Sequence, residues 1–79
     1  MVSGVSHLAS SLGQPIALRL DDQTSVIYIG TAPTNSVDSA PIWSIKKLTI
    51  VGGLMSITWA DGNDLNDNVW DNRASLSYS

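Results

Sequence analysis

Three observations predict an all-β fold. Val, Ile and Thr together supply 18 of the 79 residues, whereas Glu is absent and Lys occurs twice. β-Branched side chains suit a pleated surface, while helix surfaces are normally filled with Glu, Lys, Ala and Gln. Apolar residues also alternate with others, as in Ile16-Ala17-Leu18-Arg19-Leu20, which is the period of a strand with two unlike faces. Finally, Gly52-Gly53 separates two β-rich runs, and a two-residue hairpin turn needs the positive φ that glycine adopts without steric cost. The predicted architecture is a small five-stranded antiparallel sandwich or partly open barrel. Two hairpins and a C-terminal strand over residues 15–79 form a single β domain, preceded by an extended N-terminal arm, residues 1–14.

The arm places Val5, Leu8 and Leu12 on one helical stripe, but its serines and glycines make a lone helix unstable. It reads as a segment held by a neighbour. Pro15 opens the first strand, and Asp21-Asp22-Gln23-Thr24 is turn-like before a second strand, Val26-Ile27-Tyr28-Ile29-Gly30. Pairing Leu20 with Ser25 sets Leu18 opposite Ile27 and Ile16 opposite Ile29, so that the apolar faces coincide and Arg19, Val26 and Tyr28 share the other side. Residues 31–40 read as a long polar loop, a common place for contacts. A third strand runs Ile42 to Val51 and a fourth Leu54 to Ala60. With Val51 opposite Leu54, Lys46 falls opposite Trp59 on an apolar face with Leu48, Ile50, Met55 and Ile57. A cation lying across an indole is favourable there. The opposite face, with Trp43, Ile45, Lys47 and Thr49, is half apolar and also reads as covered. Asp61 to Asn68 is a polar turn, Val69–Arg73 a single helical turn, and Ala74, Leu76 and Tyr78 alternate as a last strand.

Composition excludes several kinds of chemistry. A chain this short buries only about 60% of its unfolded surface, so its core is marginal. With no Cys and one His, neither disulfides nor Cys₂His₂ zinc sites are available to supplement it. Association is the remaining supplement. A formal charge of −3 with four scattered cations does not suit a phosphate backbone, so nucleic acid is not an expected partner. No apolar run approaches the ~20 residues of a membrane-spanning helix, and the N-terminus has no signal-peptide pattern; no membrane association is expected.

Candidate sites are correspondingly few. Read as a calcium loop from Asp64, the Asp/Asn run places Val69 and Ser75 where Gly and Glu are required, so plain turn chemistry is the better account. His7 lies in the arm, a poor place for a catalytic imidazole. No catalytic residue, cofactor or metal site is assigned, and no enzyme is expected. Trp43, Trp59 and Trp70, in a chain without Phe, read as core or subunit-interface bulk; stacking on a sugar is the alternative for Trp43 or Trp70. Arg73 reads as a brace for Asp71 or for the carboxylates of the preceding turn.

Tyr28-Ile29-Gly30 with Ala32, Trp43 with Ile45, Ala60-Asp61-Gly62-Asn63 and the block Asp67-Asn68-Val69-Trp70-Asp71-Asn72-Arg73-Ala74-Ser75-Leu76-Ser77-Tyr78 form a pattern. In it the sequence resembles small virion-associated structural proteins of tailed bacteriophages. It departs from them at Thr31, where a basic residue is usual, and at Asn66, where an aromatic is usual. The resemblance implies a setting rather than a mechanism. The expected function is a non-enzymatic virion component, assembled in the host cytoplasm and docked on a lattice of capsid, neck or tail subunits. Other virion proteins are its expected partners, and it is expected to be homo-oligomeric or lattice-bound. A carbohydrate- or receptor-binding module of the tail or fibre is the alternative.

Overall fold

The structure, a computed structural model, describes residues 16–79; the arm with Val5, Leu8 and Leu12 lies outside the described residues. Strand β1 spans Ile16–Asp22, β2 Val26–Pro33, β3 Pro41–Val51, β4 Leu54–Trp59 and β5 Asn68–Val69, followed by a 3-10 helix over Trp70–Ser75. All pairings are antiparallel, and the strands lie in the order β1-β2-β3-β4, with β5 on β3. The fold is all-β, and the sheet does not close into a barrel.

The β3–β4 hairpin has the expected register: Val51 pairs Leu54, Leu48 pairs Ile57 and Lys46 pairs Trp59. Gly52 (φ 55°) and Gly53 (φ 83°) make the turn, the conformation that matches the strands' own twist. The first hairpin differs from expectation. Leu20 pairs Ile29 rather than Ser25, Leu18 pairs Thr31 and Ile16 pairs Pro33. The strands run on through Asp21 and Asp22, and the turn falls at Thr24-Ser25, closed by Gln23 N–H donating to Val26 O at 2.8 Å. Asp22 Oδ1 accepts from Thr24 N–H at 2.9 Å, which holds Thr24 at φ 72° without a glycine. The slip of four positions is even, so each side chain keeps its face. β2 extends to Pro33, taking Thr31 to Pro33 out of the expected loop.

The larger correction concerns which face is covered. The half-apolar face holds the core: Ala32, Trp43, Ile45, Ala60 and Trp70 are buried, with Ala17, Tyr28, Ile42, Leu76 and Tyr78 packed against them. Small residues explain this. A Cβ built on Gly30 would lie 2.6 Å from Trp70 Cε3 and 3.1 Å from Trp43 Cε3, so the missing side chain is the space the two indoles occupy. The C-terminal segment supplies Trp70, Leu76 and Tyr78 from above. The helical turn expected at Val69–Arg73 is the 3-10 helix, and it runs on through Ala74 and Ser75 into the expected final strand, of which only Tyr78 bridges Ala60, with Asp61 N–H donating to Ser77 O at 2.8 Å and Ser79 N–H to Trp59 O at 3.1 Å. The fifth strand is Asn68–Val69 instead, paired with the start of β3.

Candidate docking site

Three ring–cation contacts organise the covered side, and a fourth lies on the open face. Arg73 lies over the Trp70 ring at 4.6 Å, Arg19 over Trp43 at 5.3 Å and Lys47 over Tyr78 at 4.8 Å; Lys46 sits over Trp59 at 5.0 Å on the opposite face. The sequence has four Lys and Arg residues in total, so every basic side chain is engaged with a ring. Each contact contributes on the order of 0.5–1 kcal/mol at an exposed position and more where water is excluded.

The two arginines also pair with carboxylates. Arg73 Nε donates to Asp21 Oδ2 at 2.8 Å, and its Nη1 donates to Trp70 O at 3.1 Å. Asp21, on β1, is therefore its partner rather than the expected Asp71, which is exposed and instead donates its N–H to Asp38 O at 3.1 Å. The Arg73 guanidinium, helped by Gln23, holds the Asp21 carboxyl below its ordinary value. Arg19 Nε reaches Asp38 Oδ1 at 3.1 Å, but both side chains are more than one-third exposed, and such pairs contribute little. Tyr78 donates its hydroxyl to Arg73 O at 2.8 Å, and burial pushes its pKa up to about 12.

Trp43 is fully buried, its indole N–H donating to Val37 O at 3.0 Å, and Trp70 is 5% exposed. Their rings meet at 5.9 Å, tilted by 42°. Of the two roles weighed for them they take the core one, and neither offers a ring face to a sugar arriving from solvent. The contact from Val37 O and the Asp38 bonds also tie down the 34–40 connection, leaving the Val37 side chain exposed. In the Asp61–Asn68 turn the polar groups serve the backbone: Asn63 Oδ1 accepts from Leu65 N–H, and Asn66 Nδ2 donates to both Thr31 O and Ile42 O at 3.3 Å. Thr31 and Asn66 are thus in contact with each other through the Thr31 carbonyl. Among the described residues no group of three His, Cys, Asp or Glu side chains could hold a metal ion.

The most unusual surface is the other face of the sheet. Along β1 the large apolar residues point away from the core: Ile16, Leu18 and Leu20 are 58%, 52% and 64% exposed, while Ala17, Arg19 and Asp21 between them are half-buried. On β4, Met55 and Ile57 are exposed on this face too, although Leu54 and Ser56, on the other face, are exposed as well. The registers align these into rows across the sheet: Leu20, Ile29, Lys46 and Trp59 in one, Ile27, Leu48 and Ile57 in the next. Trp59 is half-buried there, flanked by Lys46. Single exposed apolar residues are ordinary, but a contiguous apolar surface of this kind marks an interaction site. Sequence periodicity places these residues together on one apolar face, and the structure leaves much of that face exposed. The available signal was that Ala17, Gly30, Ala32 and Ala60 all fall on the opposite face, where only small residues admit a bulky cover.

The chain matches no protein-family model, no curated protein and no solved structure.

Proposed function

We propose that this chain is a non-enzymatic structural component of a tailed bacteriophage virion, docking onto a repeating lattice of capsid, neck or tail subunits and stabilising it. The observation that carries the docking part is the inverted β1, which turns Ile16, Leu18 and Leu20 outward beside Met55 and Ile57. Isolated apolar area of this size is unfavourable in water by about 25 cal/mol per Å² relative to a covered state, so a surface built this way favours association. The setting rests on the resemblance of the Asp67–Tyr78 block to virion-associated phage proteins.

The mechanism is docking without chemistry. A rigid core, held by Trp43, Trp70 and the Arg73–Asp21 pair, presents a pre-formed apolar face, so little ordering entropy is lost on contact. Counting the protein in purified particles by quantitative mass spectrometry tests this. Hundreds of copies indicate the capsid, and multiples of three, six or twelve indicate neck, tail or fibre. Its absence from particles contradicts the proposal.

A further inference from the structure

The open face has a definite size and charge, and both constrain what covers it. Four strands about 4.8 Å apart, each contributing about six residues at about 3.3 Å per residue, give an area of roughly 380 Å², laid out as a staggered strip because β1 and β4 lie across from each other only at Leu20–Asp22 and Ile57–Trp59. It carries one cation, Lys46, seated over Trp59, and one carboxylate, Asp22, at the margin beside Ile27. The acids left without an ion pair among the described residues lie elsewhere, chiefly Asp61, Asp64, Asp67 and Asp71.

We infer that the first partner of this face is a second copy of the same chain, the two sheets stacking face to face into a sandwich. This deepens the docking reading and rests on it: the open face joins two copies, and the dimer so formed, rather than the bare face, is the unit that meets the lattice. A second copy has the same width, length and flatness by construction, and packed sheets lie about 10 Å apart, the depth of two layers of Leu and Ile side chains. The two footprints together make roughly 800 Å² of projected area, and side-chain relief raises the accessible area buried towards the 1,200 Å² or so of the smallest stable interfaces. A helix formed by the arm, even over all of residues 2–12, is about 16 Å long and 10 Å wide and covers less than half of the face. The balance of one positive and one negative group gives no net repulsion between copies and no attraction for a strongly charged partner.

The test is sedimentation velocity of the full chain at about 100 µM, well above a micromolar Kd, beside the double variant Leu18→Lys with Ile57→Lys. Both positions are more than half exposed, so the variant keeps its fold, checked by the near-ultraviolet circular dichroism of the Trp43–Trp70 pair. The expected result is a dimer for the natural chain and a folded monomer for the variant, with affinity lowered by about 100-fold or more, because each lysine would be buried without a partner. A natural chain that stays monomeric overturns the inference, and so does a variant that dimerises as well as the natural chain, since another surface is then responsible. A monomer whose Leu8→Asp and Leu12→Asp changes markedly raise binding of an apolar dye identifies the arm as the cover and also overturns it. Self-association and virion docking fail separately. A monomer found in particles removes the dimer and keeps the docking, whereas a dimer absent from particles does the reverse.

Discussion

Arg73 Nε lies 2.8 Å from Asp21 Oδ2, joining the C-terminal 3-10 helix to the first strand across 52 positions of sequence. The same guanidinium covers the Trp70 ring and bonds the Trp70 carbonyl. One side chain thereby fixes the C-terminal segment on the core, while on the opposite face Ile16, Leu18, Leu20, Met55 and Ile57 remain more than half exposed.

The pair gives the fold an acid limit. The Asp21 carboxyl is held below its ordinary 3.8, so its contribution is present above that value and is lost as pH falls through the lower folded value. Thermal melts at stepped pH are expected to show Tm falling below about pH 4, and Asp21→Asn to flatten that part of the curve. Arg73→Lys is expected to restore only part of what Arg73→Ala loses, since an ammonium keeps the charge but not the planar stack on Trp70.

An alkaline limit comes from Tyr78. Its pKa is raised to about 12 from an ordinary 10.0, so the stability it confers is complete below pH 10 and declines as pH rises towards 12. Tyr78→Phe is expected to remove that decline and to lower stability at neutral pH by about 1 kcal/mol, the worth of the hydrogen bond to Arg73 O. Urea melts at pH 7 and at pH 11 measure both effects.

Gly30→Ala is expected to destabilise the protein by about 1–3 kcal/mol, as overpacking does in a closed core. Its added carbon would stand 2.6 Å and 2.7 Å from two Trp70 ring atoms. Denaturant unfolding followed by tryptophan emission checks this. Gly53→Ala, where a Cβ meets open space but φ is 83°, is expected to lower stability through backbone strain alone, by about 1 kcal/mol.

Where turn chemistry was explicit the sequence was readable: Gly52-Gly53 fixes the β3–β4 register residue by residue. The first hairpin was readable only to its faces, because its turn depends on Asp22 capping a threonine at positive φ, which leaves no glycine to mark it. Alternation separated the two faces of the sheet but could not say which one the rest of the chain covers. That was decided by Gly30 and by an indole from residue 70, distant in sequence. Leu76 and Tyr78 alternate like a strand, yet the 3-10 helix over Trp70–Ser75 uses up the length that a paired strand would need. Arg73 was recognisable as a brace, but its partner on β1 was not.

The docking role of the open face is tested most directly by complementing a phage lacking this protein with either the natural chain or the Leu18→Lys, Ile57→Lys variant, and counting copies in purified particles. The expected result is full occupancy by the natural chain and at least about a tenfold loss for the variant, given how poorly a lysine is accommodated in an apolar contact. Equal occupancy by a folded variant would show that Leu18 and Ile57 take no part in assembly and would contradict the docking role.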